Sequence, residues 1–246
     1  MNKTFDGKKL MKGIYAVILY FVLTIAFQIP FIFLIKKKLI SNEVATLIAY
    51  FAVVLVFIFI FRKELIKDFK DFKKNNKKII STSIKYWIIG FIIMYISSII
   101  INILPINPNT NQETNIALLK SKPIIEILLA CIIAPALEEI VYRLSFKGFT
   151  KNKWIFAIST GLLFAGIHII TSINGIKDLV MLIYLVPYGA LGITFGLAYF
   201  ETDNIYGTLC VHSLHNLISI LELLLIGGII LWQKKKIKQD LKDMKK

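Results

Sequence analysis

Long apolar segments alternate with short polar stretches along most of the chain. Each segment has about the 20 residues that a helix needs to cross the hydrocarbon core of a bilayer. The pattern therefore predicts an all-α fold, a polytopic bundle of transmembrane helices, with residues 1–246 forming a single integral membrane domain. The predicted segments are residues 13–35, 44–61, 86–104, 123–146, 154–176, 179–200 and 204–233.

The last of these segments leaves the number of spans open. Residues 204–233 are long for one crossing and short for two, because an α-helix rises only about 1.5 Å per residue. Two short, tilted helices broken near Gly227 and Gly228 would bring the bundle to eight spans. One helix would leave seven. We predict about eight spans, with seven as the alternative.

Basic residues indicate how the bundle is oriented. The chain has 30 Lys and Arg against 15 Asp and Glu, a net charge of +15, yet 57% of its residues are hydrophobic. So apolar a composition argues against a soluble protein that binds nucleic acid. With a cytoplasmic N-terminus and eight spans, most Lys and Arg lie in cytoplasmic segments, as the positive-inside rule requires. These segments include a basic cytoplasmic tail, residues 234–246.

One predicted cytoplasmic segment, residues 62–85, mixes many basic residues with acids and with Phe and Leu. This mixture is typical of an amphipathic helix on the membrane surface. A solvated basic loop explains the composition equally well, and the sequence leaves both interpretations open.

Ionisable residues interrupt the apolar segments at a few positions. A charged side chain at the centre of a bilayer costs about 2.5–3.5 kcal/mol, so such residues usually mark a functional site. All three His of the chain fall within predicted spans. The interrupting residues that attract attention are Glu138, Glu139, Arg143, His168, His212 and His215.

Helical spacing sorts these residues into groups. Glu139 and Arg143 are four residues apart, so they lie on one face of a helix and can form an ion pair. Glu138 is rotated by about 100° from Glu139 and can point elsewhere. His212 and Asn216 are also four apart and present an imidazole beside an amide.

Depth in the membrane connects these groups. Counting from the cytoplasmic ends of their spans at about 1.5 Å per residue, Glu138 and His212 lie at similar depths, and His168 lies deeper. A lower helix start or a tilt would bring His168 level with the other two. We therefore predict that Glu138, His168 and His212 converge in a cavity reached from the cytoplasm.

Three motifs in this region resemble a known family. Residues 138–143 read EExxxR, residues 164–168 read FxxxH and residues 212–216 read HxxxN. In this order, on separate membrane helices, they resemble the motifs of the CPBP family. That family comprises CAAX-type prenyl endopeptidases and bacteriocin-processing intramembrane proteases, also called Abi proteins. The resemblance covers a motif-bearing catalytic core at residues 120–220.

The resemblance implies an intramembrane glutamic endopeptidase that cleaves a membrane-associated peptide or protein. In such an enzyme Glu138 is the general base and His168 assists it in activating water, while His212 and Asn216 bind the oxyanion. Glu139 and Arg143 hold the site in shape. Phe164 positions His168 by packing. His215, inside the third motif, is an extra polar residue whose role is open, either structural or adjacent to the site. We favour no cofactor.

Several alternatives remain open at this stage. Glu138, His168 and His212 supply a carboxylate and two imidazoles, a set that can bind zinc. A zinc-dependent form of the same protease is therefore one alternative, and a non-proteolytic membrane scaffold or regulator is another. A transporter is disfavoured because the chain lacks a visible inverted repeat.

The composition also bears on where the protein works. Heavy use of Ile, Lys and Asn suggests a low-GC bacterium, and hence a multi-pass protein of the plasma membrane. We expect roles in maturing peptide pheromones or bacteriocins, or in immunity against them. The expected partners are the lipid bilayer and the peptide or protein substrate, with no nucleic acid. The sequence leaves the oligomeric state open.

Overall fold

The computed structural model describes residues 5–106, 110–173 and 175–243. These residues are helical almost throughout, and the β-structure they contain is a single bridge between Phe5 and Thr150. The all-α prediction is thereby confirmed. The continuous helices are α1 (Gly7–Gln28), α2 (Phe31–Lys36), α3 (Asn42–Ile60), α4 (Arg62–Ile103), α5 (Thr110–Ser121), α7 (Lys153–Ile170), α8 (Leu185–Thr202) and α9 (Ile205–Asp243).

A further helix, α6, occupies residues 123–144 and alternates between α- and π-helical geometry. Its four consecutive pieces are Pro123–Leu128 (α), Leu129–Ile133 (π), Ala134–Glu139 (α) and Ile140–Leu144 (π). A 3₁₀ segment, Ile176–Tyr184, leads into α8.

The described residues include six helices that are long and apolar enough to cross a membrane. The protein is therefore a multi-pass membrane protein. These spans are Gly7–Gln28, Asn42–Ile60, Arg62–Ile103, Lys153–Ile170, Asp178–Thr202 and Ile205–Leu225. Helix α6, which is broken into short pieces, is additional to these six.

The end of the chain differs from the prediction. Helix α9 runs without interruption from Ile205 to Asp243, so the predicted break near Gly227 and Gly228 is wrong. A glycine in the interior of a helix costs only about 1 kcal/mol relative to alanine, so two glycines need not end a helix. Without that break the eight-span count loses its basis, while the seven-span alternative and the cytoplasmic N-terminus stay predictions. The prediction of a basic tail concerns side chains that lie outside the described residues.

The first and third predicted segments also have different bounds. The first is split at Pro30, which lacks the backbone N–H that a continuing helix would use. The apolar segment 86–104 is the second half of the long helix α4, whose first half contains residues 62–85. That region is therefore helical rather than a loop, with a kink at Asn75.

The first half of α4 forms ion pairs and hydrogen bonds with three other parts of the chain. Glu64 pairs with Lys12 of α1 at 3.0 Å. The buried carboxylate of Asp68 accepts the backbone N–H of Ile205 at 3.2 Å and lies 3.6 Å from the ammonium of Lys147. These contacts gather the start of α1, the loop after α6 and the α8–α9 turn at one end of the bundle.

Helices α7 and α8 approach closely along small residues. A Cβ atom on Gly161 of α7 would lie only 2.5 Å from the backbone nitrogen of Ile193, and one on Gly192 would lie 2.7 Å from the carbonyl oxygen of Gly161. Small residues at such crossings allow backbones of membrane helices to pack directly. The crossing holds the helix that carries His168 against its neighbour.

Candidate active site

Helix α6 carries Glu138 and Glu139 in a short α-helical piece between two π-helical segments. A π-helix widens the backbone and frees carbonyl groups from the regular hydrogen-bond ladder, and π segments occur frequently at functional sites. The freed groups need partners. The carbonyl oxygen of Ala130 receives one from Asn216, whose Nδ2 donates to it at 2.7 Å.

The carboxylate of Glu138 lies between two imidazoles that come from different helices. Its Oε1 is 3.8 Å from Nε2 of His168, and its Oε2 is 3.6 Å from Nε2 of His212. The side chains of Glu138 and His168 retain 17% and 15% of their exposure, whereas His212 retains 4%. The structure thus brings together the three residues that were expected to converge, in a nearly enclosed site.

His168 is held in one orientation from both sides of its ring. Its Nδ1 donates to the carbonyl oxygen of Phe164 at 2.8 Å, one turn earlier in α7. A carbonyl can only accept a hydrogen bond, so Nδ1 carries the proton and a neutral ring presents a lone pair on Nε2. The ring also stacks on Tyr188 at 4.9 Å and contacts Phe164 at 4.3 Å.

Glu139 and Arg143 form the ion pair that their spacing predicts. Nη1 of Arg143 lies 3.1 Å from Oε1 of Glu139, and both side chains are completely buried. Arg143 also donates from Nη2 to the carbonyl oxygen of Gly192 in α8 at 3.3 Å. Its guanidinium lies over the rings of Phe164 and Phe195 at 4.8 and 5.8 Å.

The same oxygen of Glu139 binds a second group that sequence spacing did not indicate. Nδ1 of His212 lies 2.9 Å from Oε1 of Glu139 and donates to it. His212 therefore turns Nδ1 toward Glu139 and Nε2 toward Glu138. Its ring contacts Phe164 edge-on and Phe195 at a tilt, with ring centroids 5.9 and 5.1 Å away.

The other two polar residues of the HxxxN motif, His215 and Asn216, make different contacts. Asn216 uses one amide hydrogen on Ala130, which leaves the second for another acceptor. His215 is buried and faces α4, where its ring meets Phe91 edge-on at 6.1 Å. Its place beside the site stays a prediction.

Three tyrosines near Glu138 were missed by the sequence analysis. Tyr20 in α1 and Tyr50 in α3 lie within electrostatic range of each other and of Glu138. Tyr142 of α6 lies in the same range. Tyrosines are common in apolar membrane segments, and these lack a motif that would have distinguished them.

A metal centre finds little geometric support at these residues. Among the described parts of the chain, His, Cys, Asp and Glu side chains form no group of three arranged to hold a metal ion.

The fold and the site together define a class: a multi-pass helical membrane protein with a carboxylate–imidazole cluster buried within the bundle. Comparison with known families agrees with this class. Residues 120–218 match the model of the family described as "Type II CAAX prenyl endopeptidase Rce1-like". The motif-bearing region thus matches that family, and the resemblance to the CPBP proteases is confirmed.

A protein of Mycoplasma capricolum subsp. capricolum, described as an uncharacterized protein, is 32% identical to this chain over 183 residues. The aligned part is 69% of this chain and 52% of the relative, so the chain spans about half the length of that protein. No solved structure matches the chain significantly.

Proposed function

We propose that the protein is an intramembrane endopeptidase in which Glu138 and His168 activate a water molecule. The observation that carries this proposal is the position of the Glu138 carboxylate between two imidazoles. The family match supplies the reaction class, because the matching family is one of endopeptidases.

A water molecule can bind beside Glu138 and His168 and contact both. Their facing atoms are 3.8 Å apart, which is too long for a direct hydrogen bond, so both can accept hydrogens from a water at the mouth of the gap. Glu138 accepts the proton of that water as general base. The lone pair on Nε2 of His168 holds the water in line. A positioned base of this kind contributes about 10²–10⁴-fold to a rate.

His212 and Asn216 stabilise the oxyanion that forms when water attacks the peptide carbonyl. To donate from Nε2 while Nδ1 donates to Glu139, the His212 ring must carry both protons. Asn216 contributes its second amide hydrogen. Donors aimed at an oxyanion in a water-poor site are each worth about 2.7–4 kcal/mol.

We further propose that the substrate is a membrane-associated peptide or protein, because the site lies within a bundle of helices that can cross a membrane. Precursors of peptide pheromones and bacteriocins are the substrates that we favour, with maturation or immunity as the cellular role. The proposed location is the plasma membrane of a bacterium.

The first prediction concerns the Glu138→Gln variant. The amide keeps the shape of the side chain but cannot accept the proton of water, so cleavage should fall by about 10²–10⁴-fold. Peptidomics of membrane fractions from cells with the wild-type protein or the variant would identify the products that depend on Glu138. A synthetic peptide covering such a cleavage site then gives rates with purified protein.

Glu126→Gln is the matched control for this variant. Glu126 is also a buried acid of helix α6, but it lies twelve residues, or about 18 Å, from Glu138. Its variant should retain the wild-type rate. Undiminished cleavage by Glu138→Gln would refute the assigned base. An unchanged cellular phenotype despite lost cleavage would instead favour a scaffold or regulator.

The second prediction concerns metal dependence. We propose that catalysis by Glu138 and His168 requires no metal, so exhaustive treatment with EDTA and 1,10-phenanthroline should leave the cleavage rate of the purified protein unchanged. The control is a zinc protease treated in parallel. Complete loss of activity that added zinc restores would establish the zinc-dependent alternative with Glu138, His168 and His212 as ligands.

A further inference from the structure

A second cavity lies at the junction of four helices, with Glu139 of the buried cluster on its inner wall. This cavity, the α4 groove, has a volume of about 530 Å³ and opens to the surface of the molecule. Such a volume is typical of small-molecule sites. Its walls come from the end of α3, the first half of α4, α6 and the start of α9, and are mainly apolar, with Ile58, Leu65, Ala136, Ile140 and Leu209 among the lining residues.

One rim of the α4 groove is basic. Arg62, Lys70 and Lys73 line it beside Ile66 and Phe69. These positions repeat at helical intervals and so form one stripe along α4. Arg62 donates to the carbonyl oxygen of Phe59. Among the described residues, none of the three cations has a carboxylate within ion-pair distance.

The acids of this helix lie on its other side. Glu64 pairs with Lys12, Asp68 approaches Lys147, and Asp71 accepts a hydrogen bond from Asn204. The first half of α4 therefore turns its negative charges toward the protein. Its outward stripe combines exposed apolar side chains with cations that are not neutralised.

The groove also lies at the depth of the lipid headgroups. Helix α3 is a membrane span that ends at Ile60, and α4 begins at Arg62. Their junction must therefore lie at a membrane surface, whichever side of the membrane that is. Ile58 and Ile66, on either side of the junction, are 41% and 54% exposed. The apolar part of the groove thus continues directly into the position of the acyl chains.

We propose that the α4 groove binds one anionic phospholipid, with an acyl chain between α4 and α6 and the phosphate against Arg62, Lys70 and Lys73. The positive charge of the rim selects an anionic headgroup. Each Lys or Arg near an anionic lipid adds a similar amount to the free energy of binding. The groove shares its inner wall with α6. The bound lipid therefore packs against the helix that carries Glu138, on the side of Ala136 and Ile140. This site does not depend on the proposed peptidase activity.

The third prediction tests the groove by native mass spectrometry. The full chain, purified in neutral detergent, is mixed with equal amounts of dioleoyl-phosphatidylglycerol and dioleoyl-phosphatidylcholine. The wild-type protein should retain one phosphatidylglycerol per chain in clear preference to phosphatidylcholine. The variant Arg62→Gln/Lys70→Gln/Lys73→Gln should retain at least about tenfold less, because three attractions to the phosphate are lost.

Two further variants make the result specific. Lys74→Gln/Lys77→Gln/Lys78→Gln removes the same charge from exposed positions of the same helix that do not line the groove, and should bind phosphatidylglycerol like the wild type. Ile66→Trp keeps every charge but fills the groove at an exposed position, and should lose the lipid. Equal losses in the two triple variants would show unspecific surface attraction and overturn the proposal.

Two other outcomes would also overturn it. Equal retention of phosphatidylcholine and phosphatidylglycerol by the wild type would mean that the basic rim selects nothing. A lipid-free mass of two chains, reduced to one by Ile66→Trp, would mean that a second copy of the protein occupies the groove. Each result is a measurement of bound lipid or of mass, so a loss of peptidase activity would not change it.

Discussion

At the scale of residues, one carboxylate oxygen of Glu139 serves two cationic or potentially cationic groups. It contacts Nη1 of Arg143 within its own helix and Nδ1 of His212 from α9. All three side chains are almost completely buried, so each depends on the others for compensation of its charge or polarity. Glu139 thereby does more than the shape-holding role that the resemblance assigned to it.

The fourth prediction is that Glu139→Gln separates stability from catalysis. The amide leaves Arg143 without its counter-charge, and breaking a buried ion pair in this way costs about 3–5 kcal/mol. Thermal unfolding in detergent should therefore occur at lower temperature. Cleavage should fall as well, since His212 loses the carboxylate that accepts from its Nδ1 and orients its ring.

The double variant Glu139→Gln/Arg143→Met is the control for this prediction. Replacing both partners of a buried pair is often neutral for stability, so the unfolding temperature should recover. Cleavage should stay low because His212 still lacks the Glu139 carboxylate. If cleavage also recovered, Glu139 would act only by compensating Arg143.

The sequence predicted the contacts that lie within one helix better than those between helices. The Glu139–Arg143 pair follows from a four-residue spacing on α6, and the hydrogen bond from His168 to Phe164 spans the same interval. The contact between His212 and Glu139 joins residues 73 positions apart. Spacing along the chain carries no information about such a pair; only the packing of α9 against α6 creates it.

At the scale of elements, the crossing of α7 and α8 sets how far His168 can lie from the rest of the site. Gly161 touches the backbone of α8 directly, whereas Gly166, a turn and a half later on the same helix, has open space around the position of a Cβ atom. The two glycines therefore differ in what an added methyl group would meet.

The fifth prediction compares these two glycines. Gly161→Ala should push α7 away from α8 and lower stability by about 1–3 kcal/mol, the usual cost of overpacking. Cleavage should fall because His168 moves with its helix. Gly166→Ala adds the same methyl group without a clash and should be neutral or slightly stabilising, as alanine is the better helix former.

Thermal unfolding and cleavage rates of the two alanine variants in the same detergent provide the measurement. Similar behaviour of both variants would mean that the close approach at Gly161 does not constrain the bundle. A loss of cleavage by Gly161→Ala without a change in stability would locate the effect in the position of His168 alone.

Apolar patterning located the helices well but not their internal irregularities. It predicted a membrane segment at residues 123–146, where the structure has helix α6. It could not indicate the two π-helical segments, because an extra residue in a turn changes the backbone hydrogen bonds and leaves the apolar composition unaltered. The kink at Asn75 escaped prediction for the same reason.

At the scale of the whole molecule, charged side chains that interact across helices cluster in two regions. The enclosed cluster around Glu138 compensates charge between helices, within the apolar interior. The end of the bundle around Asp68 compensates charge at a membrane surface. The sequence suggested the first arrangement, from a few residues that violate the apolar pattern, and did not predict the second, because the contacts of Asp68 join distant parts of the chain.

The contacts of Asp68 bear on how the protein can be divided in the laboratory. This buried acid and the aromatic side chains of Phe57 and Phe61 precede residue 120, yet they pack against the loop after α6, the start of α9 and the core around them. A gene fragment cut to residues 118–220 would expose these surfaces to solvent or detergent. A chimera should therefore exchange α3 and α4 together with the motif-bearing helices. In this chain the region that matches the family is smaller than the unit that can bury its own core.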